Sequence, residues 1–105
     1  MRKVLVVEDE ESIREVIALN LRMAGYEVAE AGSAEEALAL MSGGGRFDVA
    51  VLDIMLPGMN GFSLCENIRR DSDAIGIIML SAKTLETDKI KGLSIGADDY
   101  MTKPF

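Results

Sequence analysis

Two short apolar runs that each end abruptly in acid constrain this chain more than any other feature. Val4-Leu5-Val6-Val7 leads into Glu8-Asp9, and Val49-Ala50-Val51-Leu52 leads into Asp53. Such β-branched-rich runs without polar alternation read as strands buried on both faces, the pattern of a parallel sheet. Parallel strands present their carboxyl ends along one edge, and open α/β sheets bind ligands there. The fold would therefore gather Glu8, Asp9 and Asp53 in one cleft. Like charges 4 Å apart repel by roughly 1 to 4 kcal/mol, depending on the local dielectric, so the cluster calls for a compensating partner. The chain has no histidine, and hard carboxylate oxygens without nitrogen or sulfur donors suggest Mg²⁺.

Apolar runs and helical patterns alternate along the rest of the chain. After a first strand at Lys3–Val7, Ile13, Val16, Ile17 and Leu21 recur at helical spacing, and Gly25 marks a helix stop. Residues 26–31 form a more polar strand, expected at a sheet edge. Ser33-Ala34-Glu35-Glu36 has capping-box spacing, and Ala34, Ala37, Leu38 and Met41 make one apolar face. A glycine run at 43–45 leads to a third strand at 48–52. Pro57-Gly58-Met59-Asn60-Gly61 is a loop signal, and Phe62, Cys65 and Ile68 line the helix after it, which ends near Arg69-Arg70. A fourth strand at 75–80, a weaker helix at 86–95 with Gly92 inside it, and a short fifth strand at Asp99–Thr102 complete the pattern. Five strands with four intervening helices and right-handed crossovers make a doubly wound α/β sheet. Such an array normally closes with a fifth helix, so the chain reads as truncated after its fifth strand, with apolar sheet surface left exposed.

At 105 residues the chain is the size of one domain, and its 49% hydrophobic content rules out a disordered segment. The formal net charge of −7 argues against direct contact with nucleic acid, whose phosphates attract basic surfaces. Cys65 is the lone cysteine, which excludes an intramolecular disulfide and fits a reducing, cytoplasmic setting. Arg2-Lys3 before the first apolar run does not make a signal peptide, since acid follows at once, and no run approaches a membrane span.

If the strands are parallel, Glu8, Asp9, Asp53, Ser81 and Lys103 surround one cleft. The carboxylates hold Mg²⁺, Asp53 can attack phosphorus as a nucleophile, Lys103 offsets transition-state charge, and Ser81 can donate to a phosphoryl oxygen. Each residue also has a plainer reading. Asp53 alone could cap a turn before Pro57, and Ser81 could end a strand. Tyr100 could be a half-buried strand residue. Glu10 and Glu11 read better as first-turn acids than as ligands. Cys65, Phe62 and the methionines read as packing, and Arg69-Arg70 as a solvated helix end.

Four stretches together carry a family resemblance: VLVVEDEE (4–11), DVAVLDIMLPGMNGF (48–62), IIMLSAK (77–83) and GADDYMTKPF (96–105). In that order and spacing, over the whole chain, the sequence resembles the receiver domain of a bacterial two-component response regulator. The ending is most similar to the branch with a C-terminal winged-helix DNA-binding domain (OmpR/PhoB-type). The resemblance implies a flavodoxin-like five-stranded sheet of order 2-1-3-4-5, with residues 1–105 forming the receiver domain and the output domain lying outside this chain. It implies that Asp53 accepts a phosphoryl group from a sensor histidine kinase. Asp9, Asp53 and the Met55 backbone carbonyl would ligate Mg²⁺, with Glu8 acting through a bound water. Lys103 would pair with the phosphoryl group before a cis peptide to Pro104, while Ser81 and Tyr100 would form the switch pair.

On this reading the domain is a signalling switch that catalyses only its own phosphorylation and dephosphorylation, and the parent protein can form a homodimer. Shifting a two-state equilibrium from 1:99 to 99:1 takes about 5.5 kcal/mol. Two charge-assisted hydrogen bonds at roughly 1.5–3 kcal/mol each approach that sum. The weak helix at 86–95 is the expected moving part. In this family the residues two after the acceptor and two after the switch hydroxyl, Met55 and Lys83 here, flank the hydrolytic water, and an apolar Met55 implies slow self-dephosphorylation.

Two other classes compete. An Mg²⁺-dependent aspartyl-nucleophile phosphatase would place its aspartate after the first strand and an acid two residues on, where this chain has Met55. A flavodoxin-like cofactor module would need a Ser/Thr/Gly-rich phosphate loop where this chain has Glu8-Asp9-Glu10-Glu11.

Overall fold

A computed structural model describes residues 2–43, 46–54, 56, 58–71, 75–81 and 99–102. The elements run β1 (Lys3–Val7), α1 (Glu11–Met23), β2 (Glu27–Ala31), α2 (Ala34–Ser42), β3 (Val49–Asp53), α3 (Gly61–Asp71), β4 (Gly76–Ser81) and β5 (Asp99–Thr102). All neighbouring strands are parallel, in the order β2-β1-β3-β4-β5. This is the doubly wound sheet and the strand order expected. The more polar β2 does occupy an edge. The weak helix at 86–95, with Gly92 and the Gly96 stop, lies outside the described residues.

Side-chain alternation divides the central strands between two cores. Leu5 and Val7 of β1, Ala50 and Leu52 of β3, and Ile77 and Met79 of β4 pack on one face with α2 and α3. Their partners there include Ala34, Ala37, Phe62, Leu64, Cys65 and Ile68, so the lone cysteine is a core residue. Val4, Val6, Val51 and Leu80 face the other way and pack with Ile13, Ile17 and Leu21 of α1. At about 25 cal/mol per Å² of apolar area, residues of this size contribute roughly 1.5–3 kcal/mol each when fully buried.

Local chemistry explains the helix ends. Ser33 Oγ accepts from the Glu36 N–H at 3.1 Å, and Glu36 Oε2 accepts from the Gly32 N–H at 3.0 Å, one residue earlier than in a standard capping box. At the end of α1, Gly25 adopts φ 97°, and its N–H and that of Tyr26 donate to the Arg22 and Leu21 carbonyls. That is the left-handed glycine stop predicted from sequence.

Two expectations need correction. Val16 is 59% exposed: in α1 the buried stripe is Ile13, Ile17, Ala18 and Leu21, and Val16 lies beside it with Leu19 and Met23. On the sheet face beneath α1, Val4, Val6, Val51 and Leu80 are buried and Val49 and Ile78 half-buried, while the side chains of β5 lie outside the described residues. Among the described residues, exposed large apolar side chains include Val16, Leu19 and Met23 on the outer flank of α1, with Tyr26 and Leu40 elsewhere. Arg69 is half-buried, and its guanidinium donates to the Ile75 carbonyl, so it ties α3 to β4 and is more than a solvated helix end.

Candidate functional site

The register places the acids. Val7 pairs with Leu52 across β1 and β3, so one further step sets Glu8 beside Asp53. β1 keeps its line beyond Val7 because the Glu8 N–H donates to the Ala31 carbonyl of β2 at 3.1 Å. One carboxylate oxygen from each of Glu8, Asp9 and Asp53 lies within 4.8 Å of the others. Glu8 is 1% and Asp53 2% exposed, and both are the buried polar residues of the described core; Asp9 opens to solvent. Residues 45 apart in the chain are thus made neighbours by strand pairing alone.

The donor set suits a hard divalent cation. Three carboxylates offer oxygen only, at mutual distances that a single ion can bridge. Taking two of them out of water beside a third carries a desolvation and repulsion cost that a divalent charge offsets. Glu8, Asp9 and Asp53 would hold such an ion among the described residues.

The loop after β3 shapes the acceptor position from behind. The Ile54 N–H donates to the Leu80 carbonyl at 3.0 Å, extending the β3–β4 pairing one residue past Asp53. The chain then folds back sharply, and the Ile54 carbonyl accepts from both Leu56 and Gly61, at 3.1 and 3.0 Å. Gly61 is thereby pressed on the strand end. A Cβ at that position would lie 2.3 Å from the Asp53 carbonyl oxygen and 2.8 Å from the Ile54 Cα. Its backbone φ is not positive, so space rather than conformation requires glycine here. Asn60 starts α3 by accepting from the Ser63 N–H at 3.0 Å. The sequence reading took Asn60-Gly61 only as part of a loop signal. The Asn-x-x-Ser spacing was the available sign of the cap, whereas the glycine contact had none.

The remaining predicted residues are placed by backbone or not at all. Asp53 pairs with Leu80, so Ser81 lies one step further along β4, and it pairs with Thr102 of β5. Tyr100 pairs with Met79. The side chains of Ser81 and Tyr100 lie outside the described residues, as do the whole of Met55, Pro57, Lys83, Lys103 and Pro104. Of the two early acids set aside as ligands, Glu10 is the N-cap residue of α1 and Glu11 its first-turn acid, consistent with a helix-start role.

Arg14 was not singled out from sequence, yet it touches the acidic loop. Its Nη1 donates to the Glu8 carbonyl at 2.9 Å, and its Nε faces Glu30 Oε1 at 3.5 Å. No spacing rule links a helix arginine to a strand glutamate 16 residues on. Among the described residues, no helix is long and apolar enough to cross a membrane.

Comparison with known proteins agrees with this geometry. The response regulator receiver domain model matches residues 4–105. The alkaline phosphatase synthesis transcriptional regulatory protein PhoP of Bacillus subtilis is 47% identical over 104 residues, covering 99% of this chain and 43% of PhoP. This chain therefore spans less than half the length of that relative. The receiver domain of Francisella response regulator 1452 superposes with a TM-score of 0.93 at 37% identity, covering 100% of this chain and 86% of that one. The response regulator TrrA of Thermotoga maritima, solved in complex with Mg(2+)-BeF, superposes at 0.89 with 36% identity, covering 100% and 89%. On sequence, strand order and the acids at the ends of β1 and β3 alike, the chain belongs to the response regulator receiver domain family.

Proposed function

We propose that residues 1–105 act as one receiver domain, a phosphorylation-dependent switch in which Asp53 accepts a phosphoryl group from a sensor histidine kinase. The observation that carries this reading is the meeting of Glu8, Asp9 and Asp53 within 4.8 Å, with Asp53 buried at a strand end. A carboxylate oxygen of Asp53 attacks phosphorus, an O–P bond forms as the N–P bond of a phosphohistidine breaks, and the electron pair leaves with the imidazole. Asp9 and Asp53, with the Met55 carbonyl, would hold Mg²⁺, and Glu8 would act through a bound water. When bound, Mg²⁺ supplies positive charge against the equatorial oxygens of the transferring group. Lys103 offsets the remaining charge. Ser81 donates to the phosphoryl oxygen, and Tyr100 follows it as the second half of the switch. The complex of TrrA with Mg(2+)-BeF supports the metal part of this assignment.

The output proposed is transcription, since the curated relatives are transcriptional regulators more than twice the length of this chain. The parent would act in the cytoplasm, possess a separate DNA-binding domain and be capable of homodimerising, with no nucleic-acid contact by this acidic segment.

Intact-protein mass after incubation with acetyl phosphate and Mg²⁺ tests the reading. One phosphoryl adduct is expected, absent in Asp53→Ala and absent when EDTA removes the metal. A wild-type protein that gains no adduct, or an Asp53→Ala protein that still gains one, overturns it. Continuous release of phosphate over many turnovers would instead indicate a phosphatase.

A further inference from the structure

The guanidinium of Arg14 joins three pieces of chain around the loop that carries Asp9. Its Nη1 donates to the Glu8 carbonyl at 2.9 Å, its Nε faces Glu30 Oε1 on β2 at 3.5 Å, and a Cβ on Gly32 would meet Nη1 at 3.1 Å. The backbone N–H of the same residue donates to the Glu10 carbonyl at 2.9 Å. One residue therefore holds the Glu8–Asp9 peptide through its side chain and the Glu10–Glu11 peptide, where α1 begins, through its backbone. The grip is half-buried: the Arg14 and Glu30 side chains are 20% and 28% exposed. Arg22 also reaches Glu30, at 3.2 Å, which holds the acceptor of this ion pair from its other side.

Asp9 is the exposed member of the acidic cluster, so packing does little to fix its direction. Its direction then follows from the Glu8–Asp9 peptide, whose carbonyl Arg14 holds. A planar guanidinium with several donors can hold a carbonyl and a carboxylate at once, whereas a lysine ammonium on a flexible stem holds them as a point charge.

We infer that Arg14 is a positioning residue for the metal, setting the Asp9 carboxylate through the Glu8 carbonyl, with Glu30 orienting the guanidinium. Its contribution is geometry and not net field, since a positive charge beside the site would by itself disfavour a cation. This rests on the proposed Mg²⁺ role of Asp9 and Asp53.

Calorimetric titration of the metal-free chain with Mg²⁺, well below its melting temperature, tests the inference for wild type, Arg14→Gln, Arg14→Lys and Glu30→Gln. Partners that orient a ligand from behind typically change metal affinity 10-fold or more, so about a 10-fold weakening is expected in all of these variants. The double variant Arg14→Gln/Glu30→Gln should bind Mg²⁺ no more weakly than Arg14→Gln alone, because both changes break one linkage. Wild-type affinity in Arg14→Gln and Glu30→Gln overturns the inference, and so does full rescue by Arg14→Lys, which would make charge sufficient. Thermal unfolding of each variant without metal separates affinity from stability: affinities that merely track melting temperature overturn the inference too. Should Arg14→Gln not fold, Glu30→Gln, which keeps the arginine, carries the test. Absence of Mg²⁺ binding by wild type would remove the functional reading itself, a result distinct from failure of the variants.

Discussion

At the carboxyl end of β3 the acid belongs to the strand, while at the end of β1 the acids lie past it. Asp53 pairs with Leu80 and is buried, and Gly61 sits against its carbonyl with no room for a methyl group. Glu8 and Asp9 follow the last residue of β1, and the contacts that reach this segment include a strand-like hydrogen bond to Ala31 and the guanidinium of Arg14. One end is fixed within the strand ladder and by backbone packing, the other by a single backbone hydrogen bond together with a side chain from α1. An attacking oxygen must be held in place for in-line transfer, and the packed end suits that role. A ligand that gathers around an incoming cation tolerates a softer mount.

Among changes at the two strand ends, the largest effect should come from breaking the packed one. Gly61→Ala puts a Cβ into contact with backbone that cannot move without dragging Asp53 along. Overpacking of this kind costs typically 1–3 kcal/mol, and the backbone location puts about 3 kcal/mol within reach. Urea denaturation of the variant measures this directly. A loss below about 0.5 kcal/mol would show that the β3 end is as soft as the β1 end and would dissolve the contrast.

Next in size are the charges. Without metal, Asp9→Asn relieves repulsion within the cluster and should stabilise the chain by about 1 kcal/mol, whereas Asp53→Asn removes the acceptor carboxylate that a cation would use. Adding Mg²⁺ should then raise the melting temperature of wild type by mass action and leave both variants nearly unchanged. Thermal unfolding with and without Mg²⁺ reads both signs in one experiment. Destabilisation of Asp9→Asn without metal would mean that Asp9 is held by partners rather than strained by neighbours.

How far the sequence could be read follows the same division. The apolar run of β1 placed that strand at Lys3–Val7, and the acids that end the first and third runs pointed to the cleft, because burial and periodicity are local properties of a sequence. Strand β3 was expected one residue early, ending at Leu52, since an acid looks like the end of a buried run; in the fold Asp53 completes the ladder with Leu80. Val16 was placed on the wrong side of α1, because helical spacing gives the width of a stripe without its exact edge. Arg14 with Glu30, and Gly61 with Asp53, escaped altogether. Both are contacts between elements, and neither leaves a periodic trace.

A smaller effect should separate local helix chemistry from the metal-facing end of β1. Ser33 caps α2 immediately after β2, two residues from Ala31 and three from Glu30. Ser33→Ala should cost about 1 kcal/mol in denaturant unfolding through the lost cap. Mg²⁺ affinity should stay at the wild-type value, since β2 remains paired with β1 along its length. Affinity that falls with the cap would show that the Arg14–Glu30 linkage depends on how α2 begins, and would widen the soft mount to include that helix.

The smallest effect is expected on the outer flank of α1. Leu19 is 57% exposed on the helix that carries Arg14, whereas Ile17 and Ala18 are buried and Ile13 and Leu21 half-buried against the sheet. If those four residues seat the helix, and Arg14 in turn holds the acidic loop, the outer flank contributes nothing to the position of Asp9. Leu19→Gln should change stability by no more than about 0.5 kcal/mol and leave the Mg²⁺ titration unaltered. The informative contrast is with Ile17→Ala, which opens a cavity beneath α1 and tilts the platform on which Arg14 stands. That variant should lose roughly 2–5 kcal/mol of stability. If Leu19→Gln weakens Mg²⁺ binding as much as Ile17→Ala does, the β1 end is governed by the whole helix rather than by one guanidinium, and the two strand ends differ less than their contacts imply.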